Sequence, residues 1–277
     1  MTSADNERPV SALIRALSVP ARRDPSHRAE TITQWICGET VRGLERREGW
    51  IRGAGEDGYS AWVPESAVIA SAEAGSWAAS SCSLGTPIEG AGGRSGYLPW
   101  GARVRRIEGA RLELPDGSVV QASDPSRIMD LLELPRRFPP DAACLVDTAD
   151  GWTGVPYIWG GRTNTGCDCS GFVQAVLAVH GVALPRDSDQ QAEAGPTVPG
   201  FLPSAPALEL ADLVFFAPEG RGITHVAIST GGTSIVHCSA TRGAVQRDDL
   251  ASGGELETLL GESIVTATRP LASLDRG

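Results

Sequence analysis

The residues with the clearest potential for chemistry are one cysteine and two histidines in the second half of the chain. Cys169 stands in the segment DCSGFVQAVLAVHG, and His225 and His237 stand in ITHVAIST and SIVHCS. A thiol becomes an effective nucleophile when a histidine beside it takes its proton. These residue types therefore suggest acyl-transfer chemistry, provided that the fold brings the three side chains together.

The elements that must position these residues can be predicted from the same segments. Apolar residues between 172 and 179 recur with helical spacing, Asp168 is a candidate N-cap, and Gly181 is a stop signal. Cys169 then falls in the first helical turn, where unpaired N–H groups and the helix dipole favour a thiolate. The segments ADLVFFA, ITHVAIST, SIVHCS and SIVTATR are typical of strands, so we expect an α+β arrangement.

Composition excludes several classes of function. The chain has 277 residues, 24 of them basic and 34 acidic, and its net charge of −10 does not fit a nucleic-acid binder. Every basic residue is an arginine, which excludes a Schiff-base or phosphate-loop lysine. No apolar stretch approaches the roughly 20 residues of a membrane span, and the N-terminus lacks the signal-peptide pattern. We expect a cytoplasmic protein with reduced cysteines.

Composition and turn signals divide the chain into four predicted regions. Residues 1–15 are polar and predict a flexible N-terminus, whereas residues 16–72 contain short strand-like runs separated by turns. Residues 73–134 contain further alternating runs, with a hairpin signal at PDGS, and predict a second β-rich domain. The proline-rich PRRFPP marks a boundary, so the last region is 135–277.

Six motifs occur in an order that resembles the NlpC/P60 cysteine peptidases of bacterial cell-wall metabolism: PYIWGG, DCSGFV, LPRDSDQQ, ADLVFF, THVAI and IVHCS. The resemblance implies a papain-like α+β catalytic domain, in which a cysteine-bearing helix packs on an antiparallel sheet. It also implies that Cys169 is the nucleophile, that His225 is the general base and that His237 orients His225. The backbone N–H of Cys169, with Tyr157 as a further donor, would bind the oxyanion, and no metal or organic cofactor is expected.

The segments ERREGWIRG and EDGYSAWVPESAV resemble a bacterial SH3 domain, so one or two SH3-like barrels are expected before the catalytic domain. This layout is similar to γ-D-glutamyl-L-diamino acid endopeptidases of murein recycling. It implies hydrolysis of the bond between γ-D-Glu and meso-diaminopimelate or L-Lys, in murein peptides with a free N-terminal L-Ala. Asp168, Ser170 and Tyr157 would bind the free amine, and Tyr59 and Glu30 would close the pocket.

Structural interpretations stand beside these roles. Asp168 and Ser170 also fit helix capping, and Tyr59 and Glu30 also fit barrel core and surface charge. Arg186 of LPRDSDQQ is expected either to form an intramolecular ion pair or to contact substrate.

Other functions stay open at this level. They are a secreted hydrolase of polymeric cell wall, an inactive module that binds murein peptides, and an acyltransferase that uses the same thiol. A zinc site at Cys167 and Cys169 is disfavoured, because structural zinc usually takes pairs with C-x2-4-C spacing. One departure from the family pattern concerns Ala211, which stands where the family commonly has glycine before Asp212.

Overall fold

The structure is a computed structural model of the chain, and it describes residues 11–70, 77–90, 94–203, 208–218 and 221–272. The chain divides into two compact units, residues 1–131 and 132–277. Within the described residues, no helix is both long enough and apolar enough to cross a membrane.

Residues 11–70, all of them described, form a seven-stranded antiparallel sheet that belongs to the first unit. Its strands are β1 Ser11–Ile14, β2 Ser18–Arg22, β3 Thr31–Ile36, β4 Thr40–Arg47, β5 Trp50–Ala54, β6 Ser60–Pro64 and β7 Val68–Ala70. They pair in the order β3-β2-β6-β5-β4-β1-β7 around a core that contains Trp35, Val41 and Val63. Residues 11–14, assigned to the flexible N-terminus from sequence, are instead a strand because they pair with both β4 and β7. Residues 1–10 lie outside the described residues.

The described residues from 77 to 131 form a second sheet of the first unit. Its strands are β8 Ser81–Gly90, β9 Arg94–Glu108, β10 Arg111–Glu113, β11 Val119–Ala122 and β12 Ile128–Asp130. The order is β11-β10-β9-β8-β12, and an additional pairing of β11 with β8 closes the sheet on itself. β10 and β11 form the hairpin predicted at PDGS. The core contains the fully buried side chains of Leu98, Val104 and Leu112.

The described residues of the second unit form a five-stranded antiparallel sheet with helices packed against it. The helices are α1 Leu134–Arg137, α2 Ala142–Asp150, α3 Cys169–Val179, α4 Ser188–Glu193 and α5 Glu255–Glu262; a short ribbon joins β13 Arg162–Thr163 to β14 Gly166–Cys167. The sheet strands are β15 Leu210–Phe216, β16 His225–Thr230, β17 Ser234–Ser239, β18 Ala244–Asp249 and β19 Ile264–Thr268, in the order β18-β17-β16-β15-β19. α3 contacts β16 and β17, so the fold places the cysteine-bearing helix against the histidine-bearing strands.

Side-chain capping fixes the start of two helices in this unit. The carboxylate of Asp141 accepts the Cys144 N–H at 2.9 Å, and α2 ends at Asp150. Asp168 caps α3 in the same way by accepting the Gly171 N–H at 2.8 Å. These caps satisfy backbone donors that the helices leave unpaired.

The alanine that replaces the family glycine adopts a backbone conformation that favours glycine. Ala211 has a φ of 65° and lies where the pairing of β15 with β16 shifts register. The next residue, Asp212, is fully buried and accepts two hydrogen bonds from the Arg269 guanidinium, at 2.8 and 2.9 Å. The left-handed turn therefore directs a buried carboxylate to an arginine that follows β19.

Candidate active site

Cys169 is the first residue of α3, and its sulfur lies at the start of β16. The Sγ atom is 3.9 Å from the carbonyl oxygen of Thr224, and the Val226 N–H hydrogen-bonds to the sulfur. Thr224 and Val226 are the two neighbours of His225 in the chain. The nucleophile and the base predicted from sequence are therefore placed side by side.

Close backbone packing holds the first turn of α3 in this position. A Cβ atom added to Gly171 would lie 2.1 Å from the Gly161 carbonyl oxygen, so only glycine fits there without a shift. The Gly160 N–H donates to Asp168 Oδ2 at 2.9 Å. The glycines of PYIWGG and DCSG thus allow the loop and the helix to approach each other directly.

His225 and His237 are joined by a hydrogen bond, and a carboxylate extends the chain. His225 Nε2 lies 2.7 Å from His237 Nδ1, and His237 Nε2 lies 2.9 Å from Asp248 Oδ2. These side chains come from the neighbouring strands β16, β17 and β18. The arrangement leaves Nδ1 of His225 as the ring nitrogen not engaged with His237.

Burial decides the protonation of the nucleophile and the base. Burial raises the pKa of Cys169 to about 12, and the nearby Asp168 charge also raises it. Burial, reinforced by His237, lowers the pKa of His225 to about 3, and burial also lowers the pKa of His237 itself. The low thiol pKa expected from the helix N-terminus is therefore wrong, because desolvation outweighs the backbone hydrogen bonds to the sulfur. At neutral pH the pair is a thiol beside a neutral imidazole.

Asp168 and Ser170, the predicted amine-binding residues, share a buried arginine. Arg186 is 2% exposed; its Nη2 lies 2.6 Å from Asp168 Oδ2 and its Nη1 donates to Ser170 Oγ at 2.7 Å. Asp168 also accepts the N–H groups of Gly160 and Gly171. Of the two interpretations of Arg186, the structure supports the ion pair. The capping role of Asp168 is observed, and its binding of a substrate amine stays a prediction.

Tyr157 lies beside Cys167, two residues before the predicted nucleophile Cys169. Its N–H donates to the Gly243 carbonyl oxygen at 2.8 Å, and it forms a parallel bridge with Cys167. Its side chain is half-buried, and burial raises the pKa of the phenol, helped by nearby Cys169 and Asp168. The phenol therefore stays protonated, so it can donate a hydrogen bond to an oxyanion, and its oxygen lone pairs can accept one from an amine, as the two predicted roles require.

Tyr59 and Glu30 belong to the first unit. Tyr59 is half-buried in the turn before β6, and its N–H donates to Asp57 Oδ1 at 3.0 Å. Glu30 is exposed and accepts from Arg23 Nε at 2.9 Å. Their predicted part in closing a substrate pocket stays a prediction.

Sequence reasoning missed Asp248, the acid at the end of the histidine chain. It lies on β18, a strand that was not predicted because AVQRDD combines few apolar residues with three charges. The available signal was the alternation of Gln246 and Asp248, which places both on one face of a strand. The structure also shows that His180, interpreted as a helix-end residue, has a buried ring that bonds to Pro139 and Thr148.

Comparison with known proteins matches two parts of the chain to families. Residues 154–262 match the NlpC/P60 family, and residues 21–68 match the bacterial dipeptidyl-peptidase SH3 domain. A crystal structure of an NlpC/P60 family protein from Bacillus cereus superposes with a TM-score of 0.77 at 20% identity, covering 94% of this chain and 99% of that one. This similarity shows a shared fold.

Curated relatives match over part of the chain. A gamma-D-glutamyl-L-lysine dipeptidyl-peptidase of Bacillus cereus is 35% identical over 124 residues, 44% of this chain and 36% of the relative. A Bacillus subtilis protein of the same name is 36% identical over 104 residues, 37% of this chain and 33% of the relative. Murein DD-endopeptidase MepS/Murein LD-carboxypeptidase of Escherichia coli is 38% identical over 102 residues, 36% of this chain and 51% of the relative. The chain thus spans between a third and a half of the length of these relatives.

Proposed function

We propose a function from the premise that residues 154–262 of this chain belong to the NlpC/P60 family and follow a bacterial dipeptidyl-peptidase SH3 domain. The protein is a cysteine peptidase that hydrolyses the bond between γ-D-Glu and the diamino acid of peptidoglycan-derived peptides. One observation carries this proposal: Cys169 Sγ lies 3.9 Å from the carbonyl oxygen of Thr224, the residue before His225, and His225 is hydrogen-bonded to His237.

Each residue of the site has a proposed role in acyl transfer. His225 Nδ1 takes the proton from Cys169 Sγ as the sulfur attacks the amide carbonyl carbon. The Cys169 N–H, at the start of α3, donates to the oxyanion. The imidazolium then gives its proton to the leaving amine, and the C–N bond breaks to leave a thioester. Water, deprotonated by His225, hydrolyses the thioester and restores the thiol.

The two matched domains support the proposed substrate class. The SH3 match is to a domain type described for dipeptidyl-peptidases, and two relatives are named for action at γ-D-glutamyl-L-lysine. We infer that this chain acts on short peptides with a free N-terminal L-Ala and a diamino acid at the third position. Murein recycling and a cytoplasmic location complete the proposal, and they derive from the family resemblance and the sequence pattern.

Mass spectrometry of peptide cleavage tests the proposal. The substrates are L-Ala-γ-D-Glu-meso-diaminopimelate, its L-Lys counterpart and the N-acetylated form of each. We expect release of the free diamino acid from the unblocked peptides only. Cys169→Ala should lower the rate by at least about 10⁴-fold, as for nucleophile removal in other hydrolases.

Cys144→Ala is the matched control, because Cys144 is a partly exposed thiol on α2 and should be dispensable. Equal cleavage of blocked and unblocked peptides would contradict the requirement for a free amine. Cleavage of polymeric murein alone would favour a wall hydrolase, and no cleavage of any substrate would favour a binding module.

A further inference from the structure

We propose that Asp248 is a positioning residue that fixes the tautomer of His225 by acting through His237. The inference deepens the peptidase function proposed above and rests on it. It concerns the side chains of β16, β17 and β18, where Asp248, His237 and His225 form one hydrogen-bonded chain.

The direction of each hydrogen bond in this chain follows from the carboxylate. An ionised carboxylate can only accept, so His237 Nε2 must carry the proton in its 2.9 Å contact with Asp248. Neutral His237 then has a lone pair at Nδ1. His225 Nε2 must therefore donate across the 2.7 Å contact with His237 Nδ1.

This hydrogen-bond direction determines whether His225 Nδ1 can act as the general base. A neutral imidazole has one protonated and one unprotonated nitrogen, so donation from His225 Nε2 leaves a lone pair at His225 Nδ1. A general base needs that lone pair to take the thiol proton from Cys169. The opposite tautomer would carry a proton at Nδ1 and could not accept the thiol proton there.

The surroundings of Asp248 hold its carboxylate in place. Its side chain is 7% exposed, and Gln246 Nε2 donates to both of its oxygens, at 2.9 and 3.0 Å. Arg242 lies 3.8 Å from Asp248 Oδ1, and its guanidinium also pairs with Glu257 at 2.5 Å. Gln246 and Arg242 therefore present donors and positive charge to the Asp248 carboxylate, which favours its role as the acceptor of the His237 proton.

The same strand provides a matched control. Gln246 lies opposite His237 in the register of β17 and β18, and Asp248 follows two residues later on the same face. Asp249 lies on the other face, where it is exposed and accepts from Thr233 Oγ1 at 2.6 Å. Asp248→Asn and Asp249→Asn therefore remove the same charge from adjacent residues, only one of which contacts His237.

Two measurements on the full chain test the proposal. In steady-state kinetics with the unblocked peptide, Asp248→Asn should lower kcat about 10- to 100-fold, the usual loss when a supporting hydrogen-bond partner is removed, with KM within about twofold. Asp249→Asn should stay within about twofold in both constants, and Asp248→Glu should recover part of kcat. In ¹⁵N-histidine NMR at neutral pH, His225 should be protonated at Nε2 only, and Asp248→Asn should add an Nδ1-protonated population.

Each outcome decides the proposal. Equal kcat for Asp248→Asn and Asp249→Asn, or a wild-type His225 protonated at Nδ1, would overturn it. A folded Asp248→Asn with a raised KM and an unchanged tautomer would assign Asp248 a structural role only. If Asp248→Asn does not fold, Asp248→Glu and the wild-type spectrum carry the test. Absence of cleavage by the wild type would refute the peptidase function, whereas the NMR tautomer would still report on Asp248.

Discussion

The two units differ in the kind of polar residue that they bury. The buried polar residues of the first unit carry hydroxyl groups: Thr33, Ser81, Ser83 and Thr86. Those of the second unit include ionisable groups: Asp168, His180, Arg186, Asp212, His237 and Glu257. Most ion pairs among the described residues of the first unit lie at the surface, as Arg46 and Glu65 do with side chains 57% and 49% exposed; the pair of Arg15 with Asp116, whose side chain is 7% exposed, is the exception.

This difference shows where desolvation is tolerated in the molecule. Removal of a charge from water costs several kcal/mol unless a partner and hydrogen bonds compensate. Each buried acid named above in the second unit has such a partner, as in Asp168 with Arg186. Two of these groups, Asp168 and Arg186, lie near Cys169, so part of this cost falls where the proposed acyl transfer would need a dry, preorganised environment.

The largest expected effect comes from breaking a buried pair. Arg186→Met should lower the free energy of unfolding of the second unit by about 3–5 kcal/mol, because it leaves the Asp168 carboxylate buried without its cation. Arg46→Met, the surface control in the first unit, should change it by less than about 1 kcal/mol. Denaturant-dependent hydrogen exchange on peptides from α3 and β3 measures the free energy of unfolding of the second and the first unit separately. Similar losses in both variants would remove the distinction between the units.

Acid should destabilise the second unit first. The pKa of His225 is lowered to about 3, so the unfolded chain binds this proton as the pH falls below about 6.5, and stability is lost between these values. At pH 4.5 the loss from His225 alone is on the order of 3 kcal/mol. In the first unit, burial opposes but does not outweigh the hydrogen bonds from Ser118 and Arg15 that lower the pKa of Asp116. The contribution of Asp116 to the stability of the first unit is therefore present at pH 4.5 and is lost only at lower pH.

Hydrogen exchange at pH 7 and pH 4.5, corrected for intrinsic rates, measures this contrast. His225→Gln should reduce the pH dependence of the second unit, because it removes the proton acceptor. Equal acid sensitivity of α3 and β3 would contradict the prediction.

The smallest expected effect comes from glycine substitutions at one residue with positive φ in each unit. Glu48 has a φ of 49° in the exposed turn between β4 and β5, and Ala211 has a φ of 65° in a buried position. A left-handed conformation costs a residue with a Cβ roughly 1–2 kcal/mol. Glu48→Gly should therefore raise the free energy of unfolding by about 0.5–1 kcal/mol. This gain is what is left after the extra conformational entropy that glycine gives the unfolded chain. Ala211→Gly should be near neutral, since it also loses a buried methyl worth about 0.8 kcal/mol.

Thermal unfolding of the two glycine variants beside the wild type checks this order. A larger gain for Ala211→Gly than for Glu48→Gly would show that backbone strain at β15 exceeds the value of the buried methyl group. It would also mean that the second unit contains backbone strain in addition to buried charged groups.

Local signals in the sequence were sufficient for much of the fold. The cap Asp168, the hairpin at PDGS and the strands that carry His225 and His237 were all predicted, because each depends on interactions within a few residues. β18 was missed because its segment carries little apolar periodicity. α5 was missed although Leu256, Leu259 and Leu260 have the i, i+3, i+4 spacing that is typical of a helix.

The sequence by itself determined which residue types were available and where the nucleophile falls on its helix. Tertiary structure alone decided their partners and protonation: Arg186 pairs with Asp168, Asp248 ends the histidine chain, and Cys169 is held as a thiol. The physical reason is the separation along the chain of the groups that interact. Caps and turns are short-range hydrogen bonds that a few neighbouring residues specify, whereas desolvation and ion pairing depend on groups that only the folded sheet brings together.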